Sequence, residues 1–391
     1  MNVWLLTNTP SPYQVEFFSA IGGSGSCQLS VRFLRQVHRG ELWQPDTVPF
    51  DWRILSGIGP DWWSDAFRIH PQALREVVRG KHDLYILSGQ YTSMTFLACA
   101  CGLSLLRKPW VMWLEQPWPE SYRPAWAGRL SSRSAVAGTL RRCFLKMLLR
   151  MARGVFCVGT VAMEAYRRMG AKDAKLHLLP YYCDLDRFAR ADPLESARIR
   201  ARLGFLDKTV FLYSGALIKR KGVDLLLDAF QRLAAQHPEA GLILLGEGPV
   251  REELECSVQQ RFAKQIHFAG HVAQSELPAW FKAADIFVFP SRHDGWGVVL
   301  NEACGAGLPI IAADSVGAAR DLVRDNENGK LVPRDDVPRL AASMLFFLEQ
   351  PETVKAFGER SRRIGGKFTL AKGVEQLFSN IRSCIPPGSS S

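Results

Sequence analysis

The chain has 391 residues, of which 47% are hydrophobic and 22% are charged. This composition excludes a disordered chain and a fibrous repeat, and the length is typical of two domains rather than one. The net charge is +11, and residues 1–184 hold most of the excess, with 22 Lys and Arg against 13 Asp and Glu. A basic protein of this kind meets nucleic acid, an anionic membrane or an anionic substrate, and the position of the charges has to decide among them.

Short apolar runs alternate with helical patterns along the whole chain. In the first half the apolar runs are VWLLT, LYILS, WVMWL and VFCVG. After the turn-rich PYYCDLDRF the rhythm restarts with VFLYSG, GLILLG, IHFAGH, ADIFVFP and LPIIAAD. Strand, crossover helix and parallel strand in repetition predict an α/β protein of two doubly wound, Rossmann-like domains, 1–184 and 185–367. A last helix at about 368–384 is free to pack back on the first domain.

The loops after the strands are the expected place for function. Open parallel sheets bind ligands beyond the carboxyl ends of their strands, and we expect the two domains to face each other across a cleft. The first of these loops, NTPSPYQVEFF, carries Tyr13 and Gln14. Both are candidates for contact with an acceptor or a phosphate, and a rigid proline turn before a helix explains the segment equally well.

A basic segment covers residues 123–153, with eight Lys and Arg and no acid. Its helical pattern places one apolar row and one basic row on opposite faces: Leu140, Phe144, Met147, Leu148 and Met151 against Arg142, Lys146, Arg150 and Arg153. For the apolar row we favour packing on the protein's own sheet. The basic row and the loop 118–126, which is rich in Trp, predict contact with an anionic membrane surface.

In the second half, SGALIKRKGVD lies between a strand and a helix. Gly215 lets a ligand approach the backbone, and Lys219, Arg220 and Lys221 gather three cations in one loop. A diphosphate is the natural counter-ion. A solvated basic loop is the alternative.

The stretch SRHDGWGVVLNEACGAGLPII contains two acids, Asp294 and Glu302. A helix beginning near Gly297 would direct its free N–H groups at an anion, and Gly295 and Gly297 would let phosphate come close to the backbone. Trp296 and Val298 of the same loop are further candidates for contact with the substrate. Glu302, more than one turn into that helix, would reach the two hydroxyls of a ribose, and Asp294 would accept hydrogen bonds from a sugar. The alternative makes Asp294 a helix cap and Glu302 a solvated residue.

Two weaker loops complete the second half. LLGEGPV, with Gly246 and Glu247, is a glycine-rich turn after a strand, and HFAGHV, with Gly270, supplies backbone groups that could meet the edge of a base. Each is usually only a turn.

These motifs resemble the retaining GT-B glycosyltransferases of family 4. The stretch from Ser291 is similar to their hallmark SxxEGFGxxxxEAxAxGxPVI, SGALIKRKGVDLLLDAF to their phosphate loop, and PYYCDLDRF to their interdomain motif PxGVDxxxF. The resemblance covers residues 205–335 and is loose across the first domain. It implies a GT-B fold and transfer of a sugar from a nucleoside diphosphate sugar.

The resemblance also implies roles for single residues. Lys221 and Arg220 would bind the donor diphosphate, Glu302 the ribose and Asp294 the donor sugar. Asp294 replaces the commoner Glu, which shortens its reach by one methylene. Ala216 stands where many members have Arg, so Arg220 or Lys219 would take over that phosphate contact.

In the first domain the resemblance points to Glu115, at the end of the strand in VMWLEQPW. Family members frequently have a His near this point, facing the donor sugar, and Ser88, Gly89 and Gln90 would line the opposite wall. A carboxylate that merely caps the next element is the alternative.

The expected function is therefore a glycosyltransferase that acts with retention at the anomeric carbon. We expect a UDP-sugar rather than a GDP-sugar as the donor and a hydroxyl acceptor, for which a lipid-linked saccharide in polysaccharide or glycoconjugate synthesis is one candidate. Because cations meet the phosphates, no metal and no cofactor are expected, and no nucleic acid partner is expected either. A nucleotide-sugar epimerase of the same fold and a non-catalytic basic binding protein are the alternatives.

The sequence also predicts where the protein works. Its nine cysteines include no CxxC pair, and MNVWLLTN has no basic region before its apolar run, which predicts a reducing, cytoplasmic setting. Together with the basic segment, this predicts a cytoplasmic protein at the inner face of a membrane.

Overall fold

The computed structural model describes residues 1–36, 47–59, 67–117 and 133–385, and within the helix over 133–151 it describes the side chains of 139 and 142–151. The described residues form two compact units: unit 1 comes from Met1–Tyr182 and Leu370–Ser391, and unit 2 from Cys183–Thr369. The chain passes into unit 2 between Tyr182, whose ring packs on Phe17 of unit 1, and Cys183, which forms a parallel bridge with Thr369. The predicted boundaries followed residues 184 and 367.

Unit 1 is built on a seven-stranded parallel sheet with the order β3-β2-β1-β4-β5-β6-β7. Its strands are β1 Asn2–Thr7, β2 Gln28–Phe33, β3 Asp51–Ile54, β4 Leu84–Ser88, β5 Trp110–Leu114, β6 Gly154–Cys157 and β7 Leu176–Leu178. Strands β4, β5 and β6 are buried at every residue, as expected for a parallel sheet covered on both faces. The strand order reverses between β1 and β4, so the loops after these two strands diverge and leave room for a ligand.

Helices flank this sheet. They are α1 Pro12–Gly23, α2 Pro71–Arg79, α3 Met94–Leu105, α4 Arg133–Met151, α5 Thr160–Arg168 and α15 Leu370–Cys384. Helix α15 follows unit 2 in the chain but belongs to unit 1, where it packs on α1. The side-chain amide of Asn380 donates a hydrogen bond of 2.8 Å to the carbonyl of Leu178 at the end of β7, which fixes α15 along the sheet.

The buried face of α4 differs from the predicted apolar row. Leu145, Leu148 and Leu149 are buried, whereas Phe144 is 48% and Met147 38% exposed. The residues that face the sheet follow the helical spacing i, i+3, i+4 from Leu145, so the predicted row was rotated too far from the core. The side chain of Leu140, the loop 118–126 and the remainder of 123–132 lie outside the described residues.

Unit 2 contains a six-stranded parallel sheet with the order β10-β9-β8-β11-β12-β13. Its strands are β8 Thr209–Ser214, β9 Ala240–Leu245, β10 Ile266–Gly270, β11 Ile286–Phe289, β12 Ile310–Ala313 and β13 Gly329–Val332. Its helices are α6 Asp186–Ala189, α7 Pro193–Leu203, α8 Val223–Ala234, α9 Arg251–Cys256, α10 Leu277–Lys282, α11 Val299–Ala306, α12 Ala319–Leu322, α13 Val337–Glu349 and α14 Glu352–Gly365. Here the order reverses between β8 and β11.

Both units therefore confirm the doubly wound α/β prediction. Among the helices of the described residues, none has the length and the apolar character needed to cross a membrane.

The contact of α15 with unit 1 can be tested at Gly373. A Cβ atom there would lie 2.5 Å from the ring of Tyr182 and 2.8 Å from that of Phe17. In Gly373→Ala, overpacking should cost about 1–3 kcal/mol, which exceeds the gain of about 1 kcal/mol in helix propensity. We expect a lower free energy of unfolding in urea.

The matched control is Gly23→Ala in α1, where the added Cβ would only touch Pro49 at 3.9 Å. This variant should be at least as stable as the wild type. A Gly373→Ala protein of wild-type stability would contradict the packing of α15.

Candidate active site

A basic loop follows β8, as predicted, and leads into α8. Gly215 has φ +153, and a Cβ atom at this position would lie 2.9 Å from the hydroxyl of Tyr213. Lys219–Lys221 form one 3-10 turn, which Gly222 ends in the left-handed conformation before α8 begins at Val223. A side chain at position 222 would collide with the carbonyl of Pro290, since its Cβ would lie 2.2 Å from that oxygen. Backbone shape thus requires glycine at both ends of this loop.

The acidic loop after β11 contacts this basic loop. The Nζ of Lys221 forms an ion pair with the carboxylate of Asp294, and the Nη1 of Arg220 lies 3.7 Å from the same carboxylate. The side chains of Lys221 and Asp294 are each only 15% exposed. An ion pair at about 4 Å in such surroundings contributes on the order of 4 kcal/mol before desolvation. Three of the predicted residues therefore meet at the reversal of strand order.

Lys219 lies apart from this group. Its Nζ is 3.8 Å from the carboxylate of Glu253 in α9, and its side chain is exposed. The structure thus brings two of the three predicted cations to Asp294.

Arg292, which the sequence analysis did not single out, fixes the basic loop. Its guanidinium donates two hydrogen bonds to the carboxylate of Asp224, at 2.8 and 2.7 Å, and one to the carbonyl of Lys219, at 2.6 Å. It also donates to Asp335 at 2.6 Å. The hydrogen bonds to Asp224 raise the pKa of Arg292 above its ordinary value. Arg292 and Asp224 are far apart in sequence, so no local spacing could have paired them.

His293 contacts Arg220 through its backbone carbonyl. It is buried, and its carbonyl accepts a hydrogen bond from Arg220. Burial lowers the pKa of His293, and the charge of Arg220 lowers it further. Its imidazole is therefore neutral at neutral pH and adds no third positive charge.

Glu302 lies in the first turn of α11, whereas the sequence predicted it more than one turn into the helix. The helix begins at Val299 rather than near Gly297, because Gly297 has φ +92 and cannot be helical. Val298 is the N-cap, so Asp294 is not the helix cap. Glu302 is 9% exposed, which excludes a solvated role.

Arg187 is the partner of Glu302 and was also missed. Its guanidinium lies 3.5 Å from the carboxylate of Glu302 and 4.9 Å from the ring centre of Phe188. The residue stands within PYYCDLDRF, where α6 brings it to the start of α11. Sequence similarity marked this motif only as a connection between domains.

Trp296 was grouped with the predicted ligand-contacting residues, but its side chain lies in the core. The indole is buried, packs near Phe368 and donates a hydrogen bond of 2.9 Å to the side-chain oxygen of Asn301. Beside Trp296, the backbone of Gly295 approaches Gly317 so closely that a Cβ atom on Gly317 would lie 2.2 Å from the carbonyl oxygen of Gly295. The tight chain of Gly295–Gly297 thus packs against the loop after β12.

The two weaker loops lie close to the basic loop. A Cβ on Gly246 would lie 2.0 Å from the carbonyl of Gly215, and the amide of Gly246 donates to the carbonyl of Gly270 at 2.7 Å. Glu247 forms an ion pair with Arg251, and its carbonyl accepts from the amide of Leu217 at 2.9 Å. The loops after β8, β9 and β10 therefore form one continuous edge.

Unit 1 has a polar group at the carboxyl ends of its own strands. Glu115 follows β5 and is exposed, and side-chain hydrogen bonds join Tyr181 to Glu115 and to Tyr13. Gln90, after β4, is also exposed, and Gly89 is confined by Asn8, whose side-chain oxygen would lie 2.5 Å from an added Cβ. Tyr181 was not predicted as a site residue, because PYYCDLDRF gives no local sign of a partner in β5.

Among the residues that the structure describes, no group of three or more His, Cys, Asp or Glu is placed to hold a metal ion.

The family described as glycosyl transferases group 1 matches residues 195–364, which include the basic loop, Asp294 and Glu302. A curated relative, the GDP-mannose-dependent alpha-(1-6)-phosphatidylinositol monomannoside mannosyltransferase of Mycolicibacterium smegmatis, is 35% identical over 202 residues, which are 48% of this chain and 51% of the relative. The alpha-D-kanosaminyltransferase of Streptomyces kanamyceticus is 27% identical over 238 residues, 60% of this chain and 61% of the relative. The chain thus spans about half the length of the first of these relatives and somewhat more of the second.

Solved structures match almost the whole chain. HepE of Anabaena in complex with UDP has a TM-score of 0.77 at 17% identity, covering 98% of this chain and 100% of that one. Sucrose-phosphate synthase of Thermosynechococcus elongatus has a TM-score of 0.74 at 20% identity, covering 98% of each chain. These likenesses confirm the GT-B fold that the sequence predicts.

The role of Arg292 can be tested by Arg292→Met. Loss of its hydrogen bonds to Asp224 and Lys219 should lower the free energy of unfolding by about 1–2 kcal/mol, because these groups are partly exposed. Trypsin should also cleave the loosened loop after Lys219–Lys221 faster. Urea titration and the time course of trypsin fragments measure the two effects.

Arg232→Met is the matched control, since Arg232 bonds to Asp228 one turn away on the surface of α8. It should cost at most about 0.5 kcal/mol and leave cleavage of the basic loop unchanged. Equal behaviour of the two variants would show that Arg292 does not fix the loop.

Proposed function

We propose that this protein is a glycosyltransferase that moves a sugar, with retention at the anomeric carbon, from a nucleoside diphosphate sugar to a hydroxyl acceptor. The observation that carries the proposal is the meeting of Lys221 and Arg220 with Asp294 at the strand-order reversal of a glycosyl transferases group 1 domain. A second reason is the burial of Glu302, in the first turn of the helix that follows Asp294. The same edge of the sheet thus carries charge for a diphosphate and a carboxylate for hydroxyl groups.

In this proposal unit 2 binds the donor. The diphosphate takes the cations of Arg220 and Lys221, and the positive dipole end of α11, at Val298 and Val299, faces its oxygens. Glu302, held by Arg187, accepts hydrogen bonds from the ribose hydroxyls, and Asp294 accepts them from the sugar. We include no metal, because cationic side chains and the helix supply the positive charge.

The proposed transfer breaks the bond between the anomeric carbon and the diphosphate oxygen and forms a bond from the same carbon to the acceptor oxygen on the same face. The proton of the acceptor hydroxyl passes to the leaving diphosphate. Negative charge grows on the diphosphate as its bond to the sugar breaks. Arg220 and Lys221 stabilise that charge, and because their loop is already fixed by Arg292, little reorganisation is needed at that moment.

Within this proposal, the nucleotide of the donor is either UDP or GDP. From the sequence we expect a UDP-sugar, and a structure of similar fold contains UDP. The Mycolicibacterium relative is named as GDP-mannose-dependent, so GDP-mannose is the donor to compare with UDP-sugars.

We also propose that the protein works on the cytoplasmic face of an anionic membrane, with a lipid-linked acceptor. On α4, Arg142, Lys146 and Arg150 are exposed, and Phe144 and Met147 are exposed beside them. Cations with interspersed large apolar side chains are typical of helices that lie on anionic lipid. The relative named for a phosphatidylinositol acceptor supports this choice.

Donor binding is tested by thermal unfolding with UDP-glucose, UDP-galactose, UDP-N-acetylglucosamine and GDP-mannose. A donor at about 100 times its dissociation constant should stabilise the protein by about 2.7 kcal/mol. Glu302→Ala should abolish that shift, because the ribose loses its carboxylate.

The control is Glu349→Ala, which removes an exposed carboxylate at the end of α13. It should keep the full shift over its own unliganded midpoint. A full shift in Glu302→Ala would remove Glu302 from the ribose role, and no shift with any of the four compounds would reject the proposed donor class.

Membrane contact is tested by co-sedimentation with vesicles of phosphatidylcholine alone and of phosphatidylcholine with phosphatidylglycerol. Binding should require the anionic lipid and weaken at high salt. Arg142→Gln, Lys146→Gln and Arg150→Gln together should reduce it roughly 100-fold, since each cation near the surface contributes about 1 kcal/mol.

The control changes three exposed cations of unit 2, with Lys282→Gln, Arg339→Gln and Lys355→Gln. It has the same net charge as the α4 variant. Equal loss of binding in both would mean that net charge rather than α4 governs the contact.

A further inference from the structure

A chain of hydrogen bonds at the carboxyl edge of the unit 1 sheet links two phenols to one carboxylate. Tyr181 is buried, and its side chain hydrogen bonds to the side chains of Glu115 and Tyr13. Its ring packs at 4.9 Å from that of Tyr13 and edge-on at 5.6 Å from that of Trp113. These residues come from separate segments of unit 1, so the fold assembles the group.

The chemistry of the groups fixes the direction of this chain. An ionised carboxylate only accepts hydrogen bonds, and a phenol has a single O–H to donate. Tyr181 therefore donates to Glu115, and its oxygen accepts from the hydroxyl of Tyr13. Burial and the charge of Glu115 raise the pKa of Tyr181 well above its ordinary value, so this donor keeps its proton at any working pH.

The backbone of Glu115 is fixed as well. The hydroxyl of Tyr166 in α5 donates a hydrogen bond of 2.6 Å to the carbonyl of Glu115, which follows directly on β5. The backbone carbonyl and the side-chain carboxylate of Glu115 are therefore both fixed, although the residue is exposed to solvent. A carboxylate that only capped the next element would not need hydrogen bonds from Tyr181 and, behind it, Tyr13. This arrangement argues against the capping role for Glu115.

We propose that Tyr181, with Tyr13 behind it, is a positioning residue that aims the Glu115 carboxylate at a hydroxyl of the acceptor. A carboxylate offers about four lone-pair directions, so besides the hydrogen bond from Tyr181 it can accept one from a hydroxyl of the ligand. The acceptor class that suits such a group is a polyhydroxylated ring, a saccharide or a cyclitol. This inference rests on the proposed transferase function and assigns Glu115 to the acceptor rather than to the donor sugar.

The experiment uses Tyr181→Phe in the full chain, which keeps the ring and removes the hydroxyl. Transfer is measured with the donor found by thermal shift, and with methyl α-mannoside and myo-inositol as acceptor probes. The KM for the acceptor probe should rise roughly 10-fold, as expected for loss of one hydrogen bond to a charged group. Binding of UDP and GDP, measured by calorimetry, should not change, because these bind unit 2.

The pH profile separates positioning from folding. A hydrogen bond to a carboxylate favours its ionised form, so the acid limb of kcat/KM should move to higher pH in Tyr181→Phe. Tyr85→Phe is the matched control, since its hydroxyl donates to the carbonyl of Gly80 before β4. It should keep the wild-type acceptor KM and pH profile even if it is less stable.

A double-mutant cycle with Glu115→Gln completes the test. If Tyr181 acts through Glu115, Tyr181→Phe should add nothing to the acceptor KM of Glu115→Gln. An unchanged acceptor KM and acid limb in Tyr181→Phe, or full additivity in the cycle, would overturn the inference and leave the transferase function intact. Donor binding without turnover of any acceptor probe would instead reject the function, and this inference with it.

Discussion

One carboxylate between two cations organises unit 2. Lys221 and Arg220 are neighbours in sequence and carry like charges into a largely buried position, where they would repel each other. Asp294 offsets that repulsion from the opposite side of the strand-order reversal. The pairing is available only because β8 and β11 are adjacent in the sheet although two strands separate them in the chain. Sheet topology thus determines where the charge can be concentrated.

The surrounding residues keep this cluster in one arrangement. Arg292 ties the acidic loop to the basic loop through backbone and side-chain contacts, and Lys221 lies 4.8 Å from the ring centre of Phe289 at the end of β11. Glycines at the ends of the basic loop allow close approach of backbone to backbone. A ligand anion therefore meets cations that are already oriented, which lowers the ordering cost of binding.

Local signals in the sequence were sufficient for the parts of the site that are local in structure. A strand followed by glycine and three cations predicted the loop before α8, and the run from Ser291 predicted a loop and helix with two acids. The predicted start of α11 was wrong because Gly297 is left-handed, at a place where Val316 and Phe289 leave little room for a side chain. Arg187, Arg292 and Tyr181 could not be predicted, since their partners lie on other elements. On α4 the broad apolar row fitted several rotations, and only the sheet selects Leu145, Leu148 and Leu149.

The position of α15 has a consequence for how the protein is made. Unit 2 is one uninterrupted stretch of chain, whereas unit 1 requires a helix that is synthesised after all of unit 2. During translation the second unit is therefore complete while the first still lacks the helix that covers α1. The usual order in which domains mature on the ribosome, from the N-terminus onward, is reversed for the final packing step of this fold. Until that helix is made, the face of α1 that packs on α15 stays uncovered.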